Sequence, residues 1–311
     1  MKTKNLFQLA VILISSIALT FTSCKKDNTD QGTADPSSME QLSADENNVE
    51  NMMNDAENDI TSVMSNNGAN LKSTEWLPCN ATVDSLAAVN DTVTIYITYD
   101  GLNCNGTRNR TGKIEIKKQV GTHWGQAGAT IIYKYIDFKV TRVSTNKSIT
   151  LNGTKTFVNV NGGHRWQVGS IITSYVERAS GSMQATFDNG TSRSWNVARQ
   201  LTYTGAPGQF ILSIDGFGST GNYQNLVVWG TNRHGEDFFT QITQTVVCRQ
   251  TCSWDPCSGI KIHKIPSDNK SATITFGYDS NNQPITGDDC PTRYRLDWQK
   301  NNHSGTSYLP L

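Results

Sequence analysis

Between Asp91 and Lys118 apolar and polar residues alternate with a period of two. Val93, Ile95, Ile97 and Tyr99 fall on one side, and Thr92, Thr94, Tyr96 and Thr98 on the other. Ile114 and Ile116 then alternate with Lys113, Glu115 and Lys117. This pattern predicts two antiparallel strands with one buried face. The same period recurs at Ile131/Tyr133/Tyr135, Phe210/Leu212/Ile214, Ala272/Ile274/Phe276 and Tyr294/Leu296/Trp298. A phase slip at Tyr135-Ile136 predicts a bulge or bend. The tripeptide Asn-Gly-Thr occurs at Asn105, Asn152 and Asn189, with the related Trp229-Gly230-Thr231, and each is expected at a hairpin turn. The expected fold is all-β: an antiparallel meander or sandwich of about a dozen strands, preceded by one N-terminal helix.

That helix is read from a different period. Leu42, Val49, Ala56 and Val63 recur every seventh residue, with Met39, Met53 and Ile60 at companion positions and Glu46 interrupting. Ser38-x-x-Gln41 offers a capping box and Asn66-Asn67-Gly68 a stop. Glu40 to Asp59 carries seven acids and no base. The weak apolar seam favours a helix docked on the sheet over a short coiled coil.

The chain therefore divides into a leader over residues 1–23, a polar tether over 24–37, an acidic amphipathic helix over 38–66 and a β-domain over 75–311. Lys2 and Lys4 precede an apolar run from Leu6 to Leu19, and Phe21-Thr22-Ser23-Cys24 resembles a bacterial lipobox. That resemblance implies cleavage before Cys24 and acylation there; an ordinary secretory peptide with an incidental cysteine is the alternative. Acylation predicts membrane attachment in the bacterial envelope, at the outer membrane.

Charge changes the picture little. The whole chain holds 27 Lys/Arg and 27 Asp/Glu; residues 1–74 hold five and ten, leaving 22 and 17 beyond them. So mild an excess gives no case for a nucleic-acid partner.

Seven cysteines minus Cys24 leaves Cys79, Cys104, Cys248, Cys252, Cys257 and Cys290. An even set in an exported chain predicts disulfides, though spacing cannot fix their connectivity. Cys79 with Cys104 is preferred, because they flank the first long strand; the other four are expected to pair among themselves. The rival is a metal site of Cys248, Cys252 and Cys257 with Cys290 or His263, but its spacings miss the usual knuckles.

No chemical signature stands out, so no catalytic residue, metal ligand or cofactor site is assigned. His234-Gly235-Glu236, His164 and His123 sit in turn-like contexts. Neither a Gly-x-Ser-x-Gly elbow nor a His-Glu-x-x-His motif is present. Trp124, Trp166, Trp195 and Trp229 fall at expected strand ends or turns, and are candidate ligand contacts.

The run Asn103-Cys104-Asn105-Gly106-Thr107-Arg108-Asn109-Arg110-Thr111-Gly112-Lys113-Ile114, with Leu151–Thr156, Cys252-Ser253-Trp254, Thr275–Tyr278 and Cys290, resembles a family of uncharacterised Bacteroidota lipoproteins. The resemblance spans residues 39 to 300 and implies compartment and an all-β domain, without an activity. The expected function is an envelope lipoprotein with a structural or ligand-binding, non-catalytic β-domain, its partner a glycan or an envelope protein. A cell-surface glycan-binding module and a glycoside-active or metal-assisted hydrolase are the alternatives.

Overall fold

The computed structural model describes residues 37–65 and 78–311. The leader with Cys24, most of the tether, the Asn66–Gly68 stop and the start of the β-domain lie outside the described residues. One helix, α1 (Ser37–Ser65), is followed by fifteen strands. These are β1 (Ala81–Ser85), β2 (Thr92–Leu102), β3 (Arg108–Gln119), β4 (Ala129–Arg142), β5 (Ser148–Asn159), β6 (Tyr175–Phe187), β7 (Ser192–Thr204) and β8 (Ile211–Gly216). Then come β9 (Gly218–Thr220), β10 (Tyr223–Thr231), β11 (Asp237–Arg249), β12 (Pro256–Ile265), β13 (Lys270–Tyr278), β14 (Arg293–Lys300) and β15 (His303–Pro310).

All fifteen strands belong to one antiparallel sheet. The path runs from β1 to β7, then to β10 and on to β15; β8 pairs with β7 and β11, and β9 with β10. The expected all-β fold, an antiparallel meander preceded by one helix, therefore holds. A single sheet can hide its oily face without a second sheet if it curls around something else. Here that is α1, which takes side-chain partners from β2 near one edge and from β15 at the other.

The curl needs local devices. In β4 the register shifts between Tyr135 and Phe138, where the sequence slips phase, and Asp137 adopts φ 47°. Asn152 holds the bulge from β5, accepting from the Asp137 N–H at 2.9 Å and donating to its carboxylate at 3.1 Å. Glycine stands on both flanking strands. A Cβ on Gly112 would meet the Asp137 carbonyl oxygen at 2.2 Å, and one on Gly153 the Ser182 carbonyl oxygen at 2.4 Å. Both have positive φ, so any side chain would also strain the backbone. Asn152-Gly153-Thr154 is thus strand interior and not the expected turn, and Trp229-Gly230-Thr231 likewise ends β10. Asn105–Thr107 and Asn189–Thr191 do make turns, each closed by its asparagine side chain on the following threonine N–H.

The helix explains why the sheet curls. Met39, Leu42, Val49, Met53, Ala56, Ile60 and Val63 are all buried, as the apolar stripe predicts. So are Ser43, Asp45, Glu46, Glu57 and Thr61. The surface of α1 left to solvent narrows to a stripe through Gln41, Asn51 and Asn58. α1 is the filling of the core rather than a cover laid upon it. None of the described helices is long and apolar enough to cross a membrane.

Disulfides join Cys79 to Cys104 and Cys252 to Cys290. Cys248 and Cys257 are buried free thiols, so only one of the two bonds expected among the last four cysteines is formed.

Candidate functional site

The buried acids of α1 meet cations that point inward from the sheet. Glu57 lies at the centre. Its Oε1 accepts from Tyr133 Oη at 2.6 Å and Lys155 Nζ at 2.8 Å, while its Oε2 accepts from Arg199 Nη2. Lys155 and Arg199 are almost wholly buried. Burial alone would raise the Glu57 carboxyl; Arg199 and Lys155 outweigh it and hold it at about 2. Two turns back, Glu50 is bound by Lys261 at 2.7 Å and faces Arg199 at 3.7 Å. It too is held below the usual range, as these two cations overcome its burial.

The belt continues in both directions. Glu46 accepts from Thr240 Oγ1 at 2.7 Å, and Thr240 lies 2.8 Å from His263 Nδ1. The threonine proton is committed to the carboxylate, which assigns the hydrogen of that second bond to His263 Nδ1. Burial pushes His263 down, which favours the neutral ring. Asp45 takes both ends of the Arg233 guanidinium, Nε at 2.6 Å. Toward the other end Asp55 pairs with Arg108, and Asp59 with Arg110 at 2.7 Å and Tyr99 Oη at 3.0 Å. Six cations of the sheet and its turns thus face six acids of one helix. Arg193 is the exception: it is buried over the rings of Trp195 and Phe238, each 4.7 Å away, in no ion pair among the described residues.

Such a belt has little free chemistry to offer. Each acid is already neutralised, and no group of three or more His, Cys, Asp or Glu side chains among the described residues is placed to hold a metal. The metal site weighed for Cys248, Cys252, Cys257, Cys290 and His263 is not assembled: Cys252 and Cys290 are bonded to each other, and His263 faces Glu46.

Of the four sequence-nominated tryptophans, two are corrected. Trp124 is 1% exposed and packs against Phe157, and Trp195 is 2% exposed beneath Arg193, so burial leaves neither ring open to a ligand. Trp229 is half-buried against Gly218. Trp166 alone is open, 57% exposed and stacked on His164. His234 sits in the β10–β11 turn, as its context predicts, with Asn232 closing the loop on the His234 and Glu236 N–H groups.

One hollow of about 620 Å³ lies over Thr92, Lys118 and Ile132; other open surface with shape lies along the uncovered stripe of α1. A groove of about 940 Å³ runs over Gln41, Asn47, Asn48 and Asn51. A depression of about 280 Å³ shares Gln41, Asn48, Arg108 and Arg142 with it. A third, of about 190 Å³, shares Asn51, Thr107, Arg108 and Asp255 and reaches Asn54, Asn58, Tyr203 and Trp254. Trp254, unremarked among the sequence candidates, is brought there by two successive left-handed residues, Ser253 and Trp254. Comparisons with protein-family models, curated proteins and solved structures found no match for this chain.

Proposed function

We propose that the protein is an acylated lipoprotein of the bacterial envelope, anchored through Cys24 at the outer membrane, with a non-catalytic β-domain that serves as a ligand-binding or structural module. Membership of the Bacteroidota lipoprotein group is part of this proposal and rests on the residue runs around Asn103–Ile114. The observation that carries the non-catalytic reading is the charge belt. The buried carboxylates of α1 are each bonded to a cation, a hydroxyl or both, which makes them structural groups rather than acids and bases free to move protons. The groove over α1 is one surface open to a partner.

The anchor is tested by growing cells with labelled palmitate. The wild-type chain is expected to carry label and sediment with membranes, while Cys24→Ser is expected to lose label and become soluble. An unlabelled wild-type chain overturns the reading.

A further inference from the structure

The uncovered stripe of α1 is unusual in composition. Asn48, Asn51, Asn54 and Asn58 recur three or four residues apart, with Asn47 beside them and Gln41 two turns before Asn48, about 25 Å along the axis in all. Solvent-facing helix positions favour good helix formers, and Asn is a poor one. A run that breaks the local rule without stabilising the fold marks a functional surface. Some of these carboxamides have work inside the fold. Gln41 donates to Asp45 at 2.8 Å, Asn48 accepts from Arg142 at 2.7 Å, and Asn58 accepts from Arg165. Asn51 and Asn54 bond to no side chain or backbone group among the described residues, and Asn51 lies where the groove of about 940 Å³ meets the depression of about 190 Å³.

We infer that this groove binds an oligosaccharide chain. Each carboxamide presents donors and an acceptor, matching sugar hydroxyls, which also do both. The groove is lined by apolar side chains as well, among them Val143 and Leu309, which would meet the C–H faces of sugar rings. At the Asn58 end the half-buried Trp254, held edge-to-face on the buried Tyr203 with centroids 6.1 Å apart, offers aromatic surface for the C–H face of a ring. Arg142 stands over the floor in no ion pair among the described residues, so an acidic sugar would also be accepted.

This rests on the ligand-binding reading of the β-domain but not on the anchor, so the test uses the intact chain in a zwitterionic detergent. Cello-, malto-, chito- and galacturonate oligosaccharides, and a random decapeptide mixture, are titrated separately by calorimetry. At least one oligosaccharide is expected to bind. Asn51→Ala with Asn54→Ala should weaken that binding roughly tenfold or more, two hydrogen bonds being lost. The same pair should leave Tm unchanged or higher, because Ala is the better helix former. Asn51→Gln with Asn54→Gln, which keeps the amides, should retain most of the affinity. Binding that survives the alanine pair, or no binding by any of the oligosaccharides, overturns the inference. Binding of the peptides alone overturns the glycan class while leaving a ligand-binding domain in place.

Discussion

Replacing Glu57 by Gln is expected to lower the free energy of unfolding by about 3–5 kcal/mol, because a buried pair broken on one side strands its partners. Lys155, at 2.8 Å, loses its only acid and Arg199 keeps Glu50 alone at 3.7 Å; both are nearly inaccessible to water. The neutral amide could still accept one hydrogen bond from Tyr133, but it would not compensate two charges. Urea titration of the variant reads the loss directly. The complementary experiment removes the charges together. Glu57→Leu with Lys155→Met and Arg199→Met should recover most of the stability, since well-packed apolar groups commonly replace a buried ionic cluster at little cost. A triple variant as unstable as the single one would mean that volume, not charge, governs this centre.

The second large effect is an acid limb in stability. The Glu57 carboxyl is held at about 2 in the fold against an ordinary 4.5. A depressed carboxyl adds stability that is complete above its unfolded value and disappears as pH falls through the folded one. The window is therefore pH 4.5 down to 2, and a shift of this size is worth about 3 kcal/mol. Asp59 works in the opposite sense. Burial, opposed by Arg110 and Tyr99, raises it from 3.8 to about 6, so its contribution declines as pH rises across that interval. Unfolding free energy measured from pH 2 to 7 should show the steep loss below 4.5 in the wild type. It should show much less of it in the Glu57→Gln protein, which has no carboxyl to protonate there.

Much of this architecture can be read from the residues alone. The two-residue period around Ile95, Ile114, Ile274 and Leu296 places their strands correctly, and the slip at Tyr135-Ile136 marks a true bulge. Glu46 looks like a flaw in the apolar seam of α1, yet it is buried against Thr240 with Lys261 and His263 nearby. What hides the belt is that each half is ordinary by itself. Lys155, Arg199 and Lys261 sit in the inward phase of strands otherwise filled by Phe157, Val197 or Ile265. A cation in that phase signals a buried partner, and a helix with seven acids and no base supplies one. Linking the two requires knowing that the sheet wraps the helix, and that is a long-range fact. Asn152-Gly153-Thr154 misleads for a similar reason: its glycine answers to a neighbouring strand, not to a turn.

The claim on which the rest stands is that α1 is part of the β-domain's core. It is tested most directly by introducing a protease site between Asn66 and Trp76, cutting the purified chain there and passing the product through a sizing column without denaturant. The account predicts that the severed helix co-elutes with the β-domain and leaves only when urea melts the whole. A β-domain that elutes alone, still folded and with unchanged Tm, would contradict it.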